Sequence, residues 1–167
     1  MTGDLLIQTL TGQSVVAGVF GWPIGHSRSP RLHGYWLRKY GIDGAYVPFA
    51  THPTKLEQAI RALPALGFKG GNITLPHKER ALGLVDEATA LARRVGAINT
   101  LLVREDGAIL GDNTDGYGFL AHLIASRPEW NGGAGPAVVL GAGGASRAVI
   151  VALLEAGVPE LRLVNRT

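Results

Sequence analysis

Along the chain the apolar positions change their spacing several times, and each change marks an element. "SVVAGVFG" at 14–21 is a β-branched, apolar run ending in glycine, the pattern of a buried strand. "GWPIGHSRSP" interrupts it as a loop. Ser29 followed by Pro30 then reads as an N-cap with proline at the first helical position, opening a helix that runs to Gly41. "AYVPFAT" is a second strand. Thr54 and Glu57 have capping-box spacing for "TKLEQAIRAL", where Leu56, Ile60 and Leu63 share one face. "GGNIT" predicts a short strand, and Pro76 opens a helix over "PHKERALGLV". Another helix is predicted over "EATALARRV", stopping at Gly96. "AINTLLVRE" and "AILGDN" flank Asp106-Gly107, a strong hairpin signal, and "DGYGFLAHLIAS" reads as a helix.

Strand and helix thus alternate to about residue 104, with a hairpin after them. This predicts an α/β fold: an open, mostly parallel sheet with one antiparallel strand. "RPEWNGGAGP" at 127–136, rich in proline and glycine and without periodicity, is the expected junction. Beyond it come "AVVLG", a helix from Ala145 to Ala156 closed by Gly157, and "LRLVN". They spell a single strand–helix–strand, Rossmann-like βαβ unit. The boundaries expected are a first domain at 1–114, a connecting helix and linker at 115–135, and the beginning of a nucleotide-binding domain at 136–167. A dinucleotide domain uses about five or six strands, so the second domain is expected to be incomplete.

Composition narrows the classes. The absence of cysteine excludes disulfides and thiolate metal sites. His26 and His33 lack a partner at metal-ligand spacing, so no metal is expected and both read as structural or loop residues. The longest apolar run, "AVIVALL" at 148–154, is far short of the roughly 20 residues of a membrane span. "MTGDLLIQTL" has no basic start followed by an apolar stretch, so no secretory signal is expected and the protein is expected to be cytoplasmic. A net charge of +3 without a basic run argues against a nucleic-acid surface and suits small anionic ligands.

Two groups of residues suggest what those ligands are. Gly141, Gly143 and Gly144, within "GAGGA" at 141–145, follow an apolar strand and open a helix. Such a turn lets a pyrophosphate approach bare N–H groups, so Gly141 through Ala145, including Ala142, are candidate cofactor contacts. Ser146 replaces the third fingerprint glycine, and a tight turn without ligand is the alternative. The next strand ends in Asn165-Arg166-Thr167 rather than in a carboxylate. A guanidinium suits a 2′-phosphate, which favours NADP over NAD; otherwise Arg166 is a solvated strand-end charge.

The second group precedes the junction. Ser27 and Ser29, two apart in a loop, can cradle a carboxylate, or Ser29 can simply cap a helix. "NITLPHK" gathers Asn72, Thr74 and Lys78 at a strand-to-helix turn, where open α/β sheets bind ligands. Lys78 there is a surface charge or a proton donor, and adjacent His77 has the same claim to acid–base work. Asp115 in "GDNTDGYG" caps a helix or accepts from a substrate hydroxyl, and Asn99 in "GAINTL" offers a donor and an acceptor. Taken together they describe an acidic, polyhydroxylated small molecule as substrate.

These motifs, "GWPIGHSRSPRLH", "GNITLPHK", "GAINTL", "GDNTDGYGF" and "GAGGASRA…NRT", occur in the order found in shikimate dehydrogenases, which the chain resembles from about residue 14 to 167. Gly34 stands where that family commonly has asparagine. The resemblance implies NADPH-dependent reduction of 3-dehydroshikimate to shikimate, a step in aromatic amino acid biosynthesis, with 1–114 as the substrate-binding domain. It implies that Ser27 and Ser29 bind the substrate carboxylate, and that Asn72, Thr74, Asn99 and Asp115 hold its hydroxyls. Lys78, paired with Asp115, is the implied acid–base residue. Gly141–Ala145 take the pyrophosphate, and Asn165, Arg166 and Thr167 approach the 2′-phosphate. Family members run well past 167 residues, so weak or no catalysis is expected of this chain. A quinate/shikimate dehydrogenase and a non-catalytic shikimate-binding module are the alternatives. The open edge of an unfinished sheet invites a homodimer.

Overall fold

A computed structural model describes residues 10–166. Strand β1 (Val15–Gly21) pairs in parallel with β2 (Gly44–Ala50) on one side and β3 (Phe68–Ile73) on the other. Beyond β3 the sheet continues through β5 (Thr100–Val103), β6 (Ile109–Asp112) and the two-residue β4 (Glu87–Ala88), in the order β2-β1-β3-β5-β6-β4. β5 is antiparallel to both its neighbours, while β4 pairs in parallel with β6. The sheet is therefore mostly parallel with a single reversed strand, as the alternation and hairpin signal predict.

Helices α1 (Ser29–Lys39), α2 (Leu56–Ala62), α3 (Lys78–Leu82) and α4 (Ala90–Val95) connect these strands. The predicted stripe on α2 is the centre of the core. Leu56, Ile60 and Leu63 are fully buried against Phe20, Ile73, Ile98, Leu101 and Ile109. Each such side chain contributes roughly 1.5–3 kcal/mol.

Several predicted boundaries are corrected. Ser29 is the first residue of α1 rather than its cap, and its N–H donates to Ser27 Oγ at 3.3 Å. Thr54 and Glu57 form no capping box. Pro53–Lys55 make a 3₁₀ turn in which His52 accepts from the Thr54 N–H, and α2 starts only after it. Pro76 lies in a turn, so α3 begins two residues later. Thr89 caps α4 by accepting from Ala92 N–H, because Glu87 and Ala88 are taken into the sheet by β6. α4 does stop at Gly96, as predicted.

α5 (Asp115–Ser126) leads into an irregular segment at 127–136 with a 3₁₀ turn at Gly132–Ala134. β7 (Ala137–Leu140), α6 (Gly144–Glu155) and β8 (Leu161–Val164) follow, with β7 and β8 pairing in parallel. Phe119 of α5 and Trp130 pack with Val139, Leu153 and Val158, so α5 shares its core with the last unit. A smaller cluster of Val95, Ala97, Ala148 and Val151 docks α6 on the first sheet's end. Arg147–Glu79 at 3.1 Å and Arg94–Glu155 at 2.8 Å flank that contact. Among the described residues no helix is long and apolar enough to cross a membrane. The reading of the first nine residues as lacking a secretory signal lies outside the described residues.

Candidate active site

The reversed strand builds the site. β1, β3 and β6 bring their carboxyl ends to one edge of the sheet, and β5, running the other way, brings its amino end there. Asn72 pairs with Thr100 and Thr100 with Asp112, while Ile73 N–H donates to Asn99 O at 2.9 Å. The segments leaving this edge carry Ser27 and Thr74 in the loops after β1 and β3, and Lys78 and Asp115 as the first residues of α3 and α5. All seven substrate-site candidates (Ser27, Ser29, Asn72, Thr74, Lys78, Asn99 and Asp115) line one cleft of about 510 Å³. Val19, Leu32 and Trp36 supply an apolar wall, and Arg28 stands with them. A volume of this size suits one small ligand.

At the floor Lys78 Nζ donates to Asp115 Oδ2 at 2.5 Å. The two side chains are only 13% and 25% exposed, so water screens the pair weakly. The other oxygen, Asp115 Oδ1, accepts from Asn99 Nδ2 at 2.7 Å. The carboxylate is thus fixed at both ends. Asn99 is itself committed inward: its Oδ1 accepts from Thr114 N–H at 3.0 Å and Thr100 Oγ1 at 2.8 Å. Asn113 completes the turn, accepting from Asp115 N–H and donating to Ala97 O at 2.8 Å. Asp115 therefore does not cap its helix; it starts α5, and its side chain faces the lysine.

His77 and Lys78, adjacent in the chain, are placed differently. His77 is 1% exposed, and its Nε2 donates to Thr51 O at 2.7 Å, away from the cleft. His26, in the loop after β1, and His33, on α1, also line the cleft. The Nδ1 of His33 donates to Ser29 O at 2.9 Å and its ring stacks on Tyr46. Tyr46 stands behind the cleft lining, bonded to Asn72, and has no sequence signal of its own. It lies in an ordinary strand, and only the β2-β1-β3 order brings its hydroxyl to Asn72 Oδ1, at 2.6 Å.

The glycine turn lies against the same lysine. Gly144, the first residue of α6, is buried, and a Cβ there would stand 3.1 Å from Lys78 Cβ and 3.7 Å from Ala97 Cβ. Gly141 holds φ +103, which other residues rarely adopt, and its N–H donates to Val164 O at 2.7 Å. That bond draws the end of β8, with Asn165 and Arg166 next in the chain, to the start of the turn. A Cβ on Gly143 would enter open space in front of α6, whose N-terminus has no side-chain cap. Ala142 and Ala145 are exposed beside it. Thr167 lies outside the described residues.

Residues 19–101 match the family model described as the shikimate dehydrogenase substrate binding domain. Over 157 residues the chain is 64% identical to a shikimate dehydrogenase (NADP(+)) of Rhodospirillum rubrum, covering 94% of this chain and 56% of the relative. The chain belongs to the shikimate dehydrogenase family. The shikimate dehydrogenase of Aquifex aeolicus superposes with a TM-score of 0.88 at 39% identity, covering 95% of this chain and 58% of that one. Shikimate 5-dehydrogenase of Thermus thermophilus, solved in complex with NADP(H) and shikimate, gives 0.81 at 38% identity, covering 92% and 56%. The chain spans about half the length of the curated shikimate dehydrogenases it matches.

Proposed function

We propose that this chain carries the substrate cleft and the cofactor turn of an NADPH-dependent shikimate dehydrogenase, which reduces 3-dehydroshikimate to shikimate. The observation that supports this most strongly is the contact between Lys78, Asp115 and Gly144: an ion pair inside a polar cleft, abutting a glycine turn. In the proposed reaction the substrate carboxylate lies on the hydroxyls of Ser27 and Ser29, with Asn72 and Thr74 bonding ring hydroxyls. Asn99 acts mainly by aiming Asp115. The Lys78 ammonium holds a proton at the carbonyl oxygen and releases it as negative charge develops there, which yields the alcohol. Asp115 keeps the ammonium aimed at that oxygen.

NADPH supplies the hydride when bound. The residues present fit such a group. Gly141 makes the tight turn at φ +103 and Gly143 leaves open space before an uncapped helix N-terminus, which favours a pyrophosphate, and Arg166 supplies a cation for a 2′-phosphate at the end of β8.

Calorimetric titration of the purified chain with shikimate tests the reading, alongside a search for NADPH oxidation with 3-dehydroshikimate. Saturable one-site binding that is lost in Lys78→Met is the expected result. A chain that is folded by circular dichroism yet binds no shikimate at millimolar concentration refutes it.

A further inference from the structure

We infer that Tyr46 is a positioning residue whose hydroxyl fixes the amide of Asn72 in the cleft. This deepens the shikimate reading and rests on it for the ligand, though not for the geometry. In the register of the sheet Tyr46 stands opposite Ala17, and Asn72 opposite Val19, so both side chains share the cleft face with one strand between them. Ala17 is small, which lets the phenol reach across β1. Tyr46 OH lies 2.6 Å from Asn72 Oδ1, while Asn72 Nδ2 donates to Asn99 O at 3.1 Å.

The assignment follows from chemistry. The Asn99 carbonyl can only accept, so the amide must turn its nitrogen there, and its oxygen must face Tyr46. Tyr46 must therefore donate. Burial pushes its phenol up to about 12, against an opposing bond to Ser29, so the proton is retained. The ring is clamped from the other side by His33, stacked at 3.8 Å and 8°, whose own Nδ1 donates to Ser29 O. One phenol thus ties the serine loop to the amide on β3. Asn72 keeps one N–H and one lone pair for a ligand, in a set orientation. Without the hydroxyl the Oδ1 loses its protein partner, and the amide gains freedom that a ligand must then restrict.

Tyr46→Phe in the purified chain tests this through two readouts. In ligand-free ¹⁵N NMR, the Asn72 side-chain amide is expected to be ordered in the wild type and to lose order in the variant; an unchanged amide signal overturns the inference. In shikimate titration, Tyr46→Phe is expected to raise Kd by about 5- to 10-fold, the effect of one hydrogen bond. In an Asn72→Ala background the same substitution is expected to have no further effect. An equal loss in both backgrounds means Tyr46 acts independently of Asn72 and overturns the inference. If wild type binds no shikimate, the functional reading fails while the amide experiment still decides the role of Tyr46. Should Tyr46→Phe not fold, wild-type NMR decides: a slowly exchanging Tyr46 hydroxyl proton close to the Asn72 side chain supports the bond, and its absence overturns it.

Discussion

Replacing Asp115 by asparagine looks conservative and is expected to be costly. The carboxylate accepts from Lys78 at Oδ2 and from Asn99 at Oδ1, at 2.5 Å and 2.7 Å. An asparagine has only one acceptor oxygen, so its NH₂ must face either the ammonium or the Asn99 amide. With Lys78 only 13% exposed, the ammonium is left largely desolvated without its counter-charge. Breaking a fully buried pair costs about 3–5 kcal/mol. The 25% exposure of Asp115 lets some water in, which reduces the expected cost to about 2–3 kcal/mol. For a chain of this size that lowers Tm by roughly 5–10 °C. Lys78→Met removes the charge and fills the same space, so Asp115→Asn should cost much less in that background, with a coupling of about 2 kcal/mol. Urea unfolding of the wild type, both single variants and the double variant, followed by tryptophan fluorescence and circular dichroism, measures the cycle. Additivity within about 0.5 kcal/mol would falsify the pair as a formed, desolvated contact in solution.

Gly144→Ala improves helix propensity by up to about 1 kcal/mol but forces a Cβ to 3.1 Å from Lys78 Cβ. A net destabilisation of about 1 kcal/mol in urea melts is expected, and a stabilised variant would show that α6 does not press on the lysine. Arg166→Ala is expected to weaken binding of 2′,5′-ADP about tenfold, the scale of a charged hydrogen bond, and to leave 5′-AMP unchanged; equal losses for both would remove the 2′-phosphate role. Asp86 accepts from Ile109 N–H and from Arg61, which hold its carboxyl below the ordinary 3.8. Because the folded value is the lower one, its contribution is present above about pH 4 and disappears as pH falls through the folded value. Thermal melts should therefore separate wild type from Asp86→Asn near pH 7 and converge in acid, whereas a constant gap would contradict the assignment.

What could be read from the chain follows from how local each determinant is. The stripe of Leu56, Ile60 and Leu63 repeats within one helix, and its burial was legible because helical period alone places it on one face. The glycine turn was legible for the same reason, since its geometry is set by adjacent residues. Capping depended on distant competition. Thr54 lost its role to His52, and the predicted start of α4 moved because Glu87 and Ala88, with no strand signature, pair with a β6 that the sequence does not place beside them. The ion pair joins residues 37 apart; the family resemblance implies that they pair, but nothing in their spacing does. Their meeting requires β5 to run against β3, because a parallel β5 would carry Asn99 and, through the hairpin, Asp115 to the edge opposite Lys78. The Asp106-Gly107 turn sets the reversal between β5 and β6 and so brings Asn99 and Asp115 together. That local hairpin signal accounts for the Asn99–Asp115 half of the convergence, while the approach of Lys78 rests on the pairing of β5 with β3 across residues 74–99. Tyr46 had no such proxy: its reach to Asn72 depends on β1 lying between β2 and β3, an order fixed by sheet packing rather than by any pattern in "AYVPFA".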